Sequence, residues 1–287
     1  MIHKVLFPSS ELHSVVHHYE YFKIDSSTTP KEGYLDLPSF ASGFCFCFYR
    51  GSPFLTSSEN LKDFPFPEDT LTVPILNPAH HRQVSDVNVL RVLFQPGVLS
   101  DIYTLSFKEA RIEPMSMRYN LHPELEDIYD QLAHRVDPLQ QIEVIEKYLL
   151  KKLRFKSPDS SLILYLHQFL SQEGYSNSVE SIAEKIGYSS RHLNRLIIKK
   201  SGFNVSEFIR VHRFHRALEF LHRQEFHSLT QIAYQLGYYD QSHFIREFKM
   251  MSHMTPTAYL KSLGLKVLST ESPNDFEYAG FQVPKNY

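Results

Sequence analysis

The feature that most constrains this chain is an internal repeat in its second half. Ser178-Val-Glu-Ser-Ile-Ala-Glu-Lys-Ile-Gly-Tyr188 matches Ser228-Leu-Thr-Gln-Ile-Ala-Tyr-Gln-Leu-Gly-Tyr238 at a constant offset of 50. After one inserted residue the match resumes at an offset of 51. Ser189 then pairs with Asp240, Leu193 with Phe244, Arg195 with Arg246, Ile197 with Phe248, and Phe208-Ile209 with Tyr259-Leu260. The chain therefore builds one supersecondary unit twice.

Each copy has the grammar of a short helix, a tight turn and a second helix. Ser178 and Ser228 are N-cap residues, and Gln231 is placed as a capping-box partner in the second copy. Ile182/Ile186 and Ile232/Leu236 are spaced to pack inward, and Ala183 and Ala233 are small enough for a close helix crossing. Gly187 and Gly237 supply a left-handed turn residue, and Ser189 and Asp240 cap the next helix. So short a turn favours the steep crossing of a helix-turn-helix over an antiparallel hairpin.

In the second helices, Leu193, Leu196 and Ile197, then Phe244, Phe248 and Met251, face a core. The opposite faces carry Ser190, Arg191, Asn194 and Arg195 in the first copy, and Gln241, Ser242, Ile245 and Arg246 in the second. Arginine can bridge guanine O6 and N7, and asparagine or glutamine can bridge adenine N6 and N7. A solvated polar helix face is the competing explanation, but caps, turn glycines and polar faces coincide twice. Between the copies, Ser206 to Leu221 reads as one long helix, a rigid connector suited to two readers about 34 Å apart on one DNA face. Its Arg210, Arg213 and Arg216 are candidates for phosphate contacts or for a solvated face.

Charge distribution agrees with this reading. The whole chain carries −2, but residues 1–158 hold 16 basic and 20 acidic residues, a balance of −4. Residues 159–264 hold 12 and 9, a balance of +3 with eight histidines, and the last 23 residues contribute −1. A basic bias on one segment is a weak signal of a nucleic-acid partner.

The second half resembles the AraC/XylS family of bacterial transcription regulators over about 105 residues, 158–264. Its most specific stretch is Gly237-Tyr-Tyr-Asp-Gln-Ser-His-Phe-Ile-Arg-Glu-Phe-Lys249, followed by Met254-Thr-Pro-Thr-Ala-Tyr259. The first copy matches as Gly187-Tyr-Ser-Ser-Arg-His-Leu-Asn-Arg195. The resemblance implies two helix-turn-helix units per chain, each with its second helix in the major groove of double-stranded DNA. By position it puts base reading on Ser190, Arg191, Asn194, Arg195, Gln241, Ser242, Ile245 and Arg246. The chain departs from the family at Ile197, where Phe is frequent, and at His253, where Gly is common before Met254.

The first half reads as strands followed by a helical hairpin. Glu32 to Pro38, Phe44 to Tyr49, Leu71 to Leu76 and Val87 to Phe94 have strand composition, with breakers at Arg50-Gly51-Ser52-Pro53, Pro65 to Asp69 and Asn77-Pro78. Asp137-Pro138-Leu139-Gln140 opens a helix whose stripe is Ile142, Ile145, Leu149 and Leu153, and Leu125, Ile128 and Leu132 form a shorter stripe upstream. Such a stripe serves an intramolecular core or a homodimer seam. In the family the N-terminal domain is commonly a cupin-like barrel that binds a small ligand or a partner, and Val89-Leu-Arg-Val-Leu-Phe-Gln-Pro-Gly97 is similar to one such sensor subfamily.

The expected architecture is α+β in two domains. Residues 1–156 form a small β-barrel, cupin-like domain with a helical hairpin, for sensing and dimerisation. Residues 157–264 form an all-α domain with two helix-turn-helix motifs joined by a long helix, and residues 265–287 form a tail. Ser157 and Pro158 cap the first helix of the second domain, which stops at Gly174. The expected function is sequence-specific transcription regulation, responding to a small ligand or a partner, with RNA polymerase as a further contact.

A plain core or a ligand pocket explains Cys45, Cys47 and Tyr49, which lie opposite Phe44, Phe46 and Phe48 on one strand. No metal and no cofactor is expected. No His-x-His occurs, the adjacent pairs His17-His18 and His80-His81 diverge on a strand, and Cys45 and Cys47 lack a second pair for zinc. A thiol switch at these cysteines competes with inert burial. There is neither a Gly-rich phosphate loop nor a Gly-x-Ser-x-Gly elbow, so an enzyme is not expected. A metal-dependent cupin enzyme fused to a DNA-binding domain is the alternative, as is a first half that binds a protein. No stretch approaches eighteen apolar residues and no signal-peptide core follows Met1, so a cytoplasmic protein away from membranes is expected.

Overall fold

The computed structural model describes residues 2–25, 27, 34–49, 55–58, 61–82, 86–103, 107, 116–117, 124–153, 161–175, 178–223 and 226–261. It is a mixed α/β protein with N-terminal sheets and a helical C-terminal part, in two compact units. The first unit comprises residues 1–34, 41–73 and 80–160; the second comprises 35–40, 74–79 and the chain from 161 on. A single cut near residue 157 does not anticipate those two short N-terminal segments. The expected cap at Ser157-Pro158 and the tail 265–287 lie outside the described residues.

The first unit is built on strands β1 (Ile2–Leu6), β2 (Val16–Ile24), β4 (Gly43–Tyr49), β5 (Leu55–Ser58), β6 (Leu61–Pro65), β7 (Asp69–Thr72), β8 (Ala79–Arg82) and β9 (Val87–Phe94), while β3 (Tyr34–Asp36) opens the segment 35–40 of the second unit. They form a five-stranded sheet ordered β1-β2-β9-β4-β7 and a four-stranded sheet ordered β3-β8-β5-β6. The expected Leu71–Leu76 strand is shorter: β7 ends at Thr72, and Ile75 makes only an isolated bridge to Ser39. Gly43 is required in β4, because a Cβ there would lie 1.9 Å from the Val92 carbonyl oxygen.

Helices α1 (Leu99–Ile102), α2 (Glu124–Ala133) and α3 (Pro138–Leu153) also belong to this unit. Asp137 caps α3 by accepting from the Leu139 N–H at 3.1 Å, with Pro138 as first residue. Buried Gln141 ties the hairpin together, its Nε2 donating to the carbonyls of Leu132 and Arg135, each at 3.1 Å. Tyr19, Phe44, Phe46, Leu90 and Val92 on one sheet face share a core with Leu125, Ile128, Leu132, Ile142, Ile145 and Leu149. The α3 stripe is thus occupied within its own unit and supplies no argument for a homodimer.

Alternation makes the other face of the sheet from His18, Glu20, Val89, Leu93, Cys45 and Cys47, and all of these are buried too. Both faces of the sheet are therefore shielded, as its near-continuous apolar strands require.

The second unit contains α4 (Ser161–Glu173), α5 (Val179–Ile186), α6 (Ser190–Ser201), α7 (Val205–Arg223), α8 (Leu229–Gln235), α9 (Gln241–Ser252) and α10 (Pro256–Lys261). Helix α4 stops at Gly174, whose φ is 75°. Phe203, Phe208, Phe214, Phe244 and Phe248 fill the core, with Ile163, Leu166 and Leu170 from α4 and Leu37 from the segment 35–40. Helix α7 buries Phe208, Val211, Phe214, Leu218 and Leu221 against both helix pairs, α5/α6 and α8/α9.

Candidate nucleic-acid interface

The two helix pairs are closed by the same hydrogen bonds. Ser178 Oγ accepts from the Ser181 N–H at 3.2 Å, and Ser228 Oγ from the Gln231 N–H at 3.1 Å. Gly187 and Gly237 take φ values of 82° and 70°. Around them the N–H groups of Tyr188 and Tyr238 reach the carbonyls of Ala183 and Ala233 at 2.8 and 2.9 Å, and both glycine N–H groups donate one turn back at 3.0 Å. This is a Schellman closure made twice, which satisfies the last carbonyls of each short helix. Ser189 and Asp240 then cap α6 and α9 by accepting from the N–H groups of His192 and His243 at 3.3 and 2.7 Å.

The repetition runs past the turn. Ser201 and Ser252 hydroxyls donate to the carbonyls of Ile197 and Phe248, both at 2.8 Å. Helices α6 and α9 end on Gly202 (φ 71°) and His253 (φ 57°). One detail differs from expectation. Gln231 Oε1 accepts from the His227 N–H at 2.8 Å, one residue before the N-cap.

Leu193, Ile197, Phe244, Phe248 and Met251 are buried, so the opposite faces of α6 and α9 point away from the core. Ser190, Arg191, Asn194 and Arg195 share a face of α6; Gln241, Ser242, Ile245 and Arg246 share a face of α9. Arg191, Arg195, Ser242 and Arg246 are exposed, and Ser190 is half-buried. The remainder are engaged. Asn194 Oδ1 accepts from the Val205 N–H at 2.9 Å, and Thr230 donates to Gln241 Oε1 at 2.7 Å. Arg195 Nη2 lies 3.1 Å from His192 Nδ1, and half-buried Ile245 packs on the core. Helix α6 has a neutral serine cap and no acidic residue in its first turn, which leaves its N-terminus attractive to anions, whereas the N-terminus of α9 is already met by the Asp240 carboxylate.

Tyr239 escaped the sequence reading. It is the one residue inserted between the repeats, and it stands 87% exposed beside the N-terminus of α9. The break in the offset was the signal that could have found it.

The connector arginines have other work. The Arg213 guanidinium lies over the rings of Tyr238 and Tyr175, 4.8 and 5.3 Å from their centroids. The Tyr238 hydroxyl donates to Glu247 Oε1 at 2.9 Å, and burial together with that carboxylate pushes the phenol above its usual range. Arg216 pairs with Glu219, and Arg210 Nη2 approaches Met250 Sδ at 3.9 Å.

A model of the helix-turn-helix domain matches residues 182–262. The C-terminal region is a helix-turn-helix domain of the AraC/XylS type. Among curated relatives of this DNA-binding family, the probable transcription factor PqrA of Proteus vulgaris is 32% identical over 81 residues, which is 28% of this chain and 66% of that protein. An uncharacterized HTH-type transcriptional regulator of Haemophilus influenzae is 30% identical over 125 residues, 44% of this chain and 40% of that one. The regulator YtdP of Bacillus subtilis is 26% identical over 106 residues, 37% of this chain. The chain spans 13% of YtdP and 40% of the Haemophilus regulator, well short of either whole protein. Among solved structures, ToxT from Vibrio cholerae aligns with 13% identity and a TM-score of 0.46, covering 85% of this chain and 97% of that one.

Outside this AraC-type region, the candidate ligand residues Cys45 and Cys47 are buried thiols with Sγ atoms 3.9 Å apart, while the Tyr49 side chain lies outside the described residues. The Cys45 thiol and burial push the Cys47 thiol well up, which suppresses thiolate chemistry. Strand register sets Arg91 between Cys45 and Glu20. Glu20 is wholly buried, with Arg91 Nη1 at 3.3 Å and the Nε2 atoms of His18 and His3 at 3.5 and 3.8 Å. Burial alone would raise its carboxyl, yet Arg91 and the two histidines hold it below the usual carboxylate range.

The expectation that His17 and His18 diverge fails. A bulge in β2 between Val16 and His18 brings their Nδ1 atoms together, and burial with the neighbouring His18 lowers His17 to about 4. Among the described residues no group of three or more His, Cys, Asp or Glu is arranged to hold a metal ion. No described helix is long and apolar enough to cross a membrane.

Proposed function

We propose that this protein is a sequence-specific transcription regulator that reads DNA with two tandem helix-turn-helix units. Helices α6 and α9 enter successive major-groove segments of one duplex. The observation that carries this reading is the pair of identically capped and closed helix pairs, each presenting an exposed arginine, Arg191 or Arg246, on the face opposite its core. Arg191 and Arg246 make the direct base contacts. Ser190, Arg195, Ser242 and Ile245 complete the two faces, and Tyr239 lies at the edge of the second. Asn194 and Gln241 contribute only their side-chain NH2 groups, since their oxygens are engaged within the domain.

Residues 1–156 act as the sensing half, responding to a small ligand or to a partner, and the whole contacts RNA polymerase in regulating transcription. A ligand would meet the sheet face that carries Cys45, Cys47, Arg91 and Glu20, the polar side of an otherwise apolar wall.

Selection of random double-stranded DNA by the purified full-length protein at near-physiological salt tests the reading. The expected outcome is a site with two elements centred about 10 base pairs apart. Arg191→Ala and Arg246→Ala should each cost about 1–3 kcal/mol and relax preference at one base position, one in each element. Failure to enrich any sequence over non-specific binding would overturn the assignment.

A further inference from the structure

The second unit contains a strap that its own sequence region does not supply. Residues 35–40 and 74–79, drawn from the first half of the chain, belong to the helical unit. Ser39 and Ile75 exchange backbone hydrogen bonds of 2.9 and 3.0 Å and so hold the two segments to each other. Leu37, 3% exposed, joins the helical core, and Phe40 and Leu76 pack against it. His215 of α7 donates from Nε2 to the Pro38 carbonyl at 2.9 Å, which fixes the strap against that helix.

Phe40 is the strap's point of action. Its ring stands edge-on to His167 of α4 at 4.5 Å, lies 4.6 Å from Phe208 of α7, and meets Phe203 at 5.7 Å between centroids. Phe203 is wholly buried two residues beyond the end of α6. Its N–H donates to Ser201 Oγ at 3.2 Å, and the same hydroxyl donates to the Ile197 carbonyl at 2.8 Å. Phe203 is thereby clamped to the last turn of α6. At the equivalent place in the second copy stands Met254, with a matching N–H to Ser252 Oγ at 3.3 Å. Phe40 also stacks near His215 of α7 at 6.0 Å, and of the two equivalent places, Phe203 and Met254, its ring contacts reach Phe203.

We propose that Phe40 is a positioning residue for the first DNA-reading helix. Through Phe203 and Phe208 it sets how α6 sits on the connector α7. The strap runs on into β4 three residues after Phe40, so the first half of the chain holds one of the two readers directly. The DNA-reading part of this inference rests on the function proposed above.

The test uses the full-length protein carrying Phe40→Ala or Phe40→Leu. Hydrogen exchange in the absence of DNA comes first. Phe40→Ala should speed exchange of residues 197–208 about tenfold while 241–252 keep their protection, and Phe40→Leu should stay near the parent. DNA selection comes second. Phe40→Ala should relax the base positions that Arg191→Ala relaxes and leave those that Arg246→Ala relaxes. Unchanged exchange in α6, or an equal rise in α6 and α9, would overturn the proposal, since the residue would then be silent or only generally stabilising. If neither arginine substitution alters base preference, the DNA reading fails separately, and the exchange result still decides the strap.

Discussion

Asn194 stands where a base reader is expected, yet its side-chain oxygen caps the buried start of α7 through the Val205 N–H. Asn194→Ala would leave that N–H without its acceptor. It should lower stability by about 0.5–2 kcal/mol, while preference at the base read by Arg191 persists. Asn194→Asp keeps an acceptor and should hold stability near the parent. Urea unfolding of both variants checks the cap, and unchanged stability in Asn194→Ala would contradict it. His253 presents the opposite case. It is the sole non-glycine at positive φ among the described residues, and it occupies the slot that Gly202 fills in the first copy. His253→Gly relieves left-handed strain of about 1–2 kcal/mol and loses part of that to the freer unfolded chain, so a net gain of about 0.5–1 kcal/mol is expected in thermal or urea unfolding. The departure at His253 was visible in the sequence, because the repeat aligns it with a glycine. The capping role of Asn194 was not, because its partner lies eleven residues on and across a turn.

At the scale of the element, what the sequence made legible was local. The caps Ser178, Ser189, Ser228 and Asp240, the turn glycines and the apolar stripes of α3, α6 and α9 all depend on neighbours within one or two turns. What it left hidden depends on register between distant strands. The buried Glu20 of β2 faces Arg91 of β9 seventy-one positions away, and nothing local in either strand announces the pair. Arg91→Met would strand that carboxylate in a dry environment and should destabilise the first unit by about 3–5 kcal/mol. The double change Glu20→Gln with Arg91→Met should recover part of the loss. Equal stability of the single and double variants in urea would show that the pair is not coupled.

The helical unit carries its own pH response. Burial is the first cause that lowers His167, His212 and His215, and His212 falls to about 3. Tyr175 Oη lies 2.7 Å from His212 Nδ1 and Ser171 Oγ 3.4 Å from Nε2, contacts that suit a neutral ring. The unfolded chain takes up these protons near 6.5, whereas the folded unit takes them up only at lower pH, His212 near 3. Between those values the unfolded state binds more protons, so stability is fully present above about 6.5 and is lost as pH falls. His212, neutral down to about 3, contributes a slope that approaches about 1.4 kcal/mol per pH unit below 6.5, and His167 and His215 add to it in the same sense. Urea midpoints reported by the helical unit should drop between pH 7 and pH 5, before most carboxylates titrate, and a flat profile there would contradict the neutral burial of this cluster.

On the scale of the whole molecule, the division of the chain is not a single cut. Composition shifts once, near residue 157, because the second half is helical and mildly basic while the first is strand-rich and acidic. Residues 35–40 and 74–79 carry no such mark: Leu37, Phe40 and Leu76 look like any apolar residues beside strands, and only packing assigns them to the helical core. That assignment has a measurable consequence at long range. Leu37 is separated from α4 by more than a hundred residues, yet truncating it opens a cavity among the helices and leaves the core formed by Phe44, Phe46 and the α2/α3 hairpin intact. A buried Leu→Ala change costs about 2–5 kcal/mol where it is felt. Leu37→Ala should therefore weaken amide protection in α4 and α7, with little change in β2, β4 and β9. Hydrogen exchange resolved by peptide reads the two units in one experiment. If the loss of protection fell on the strands instead, the segment would belong to the first unit, and the helical domain would be self-contained from residue 161.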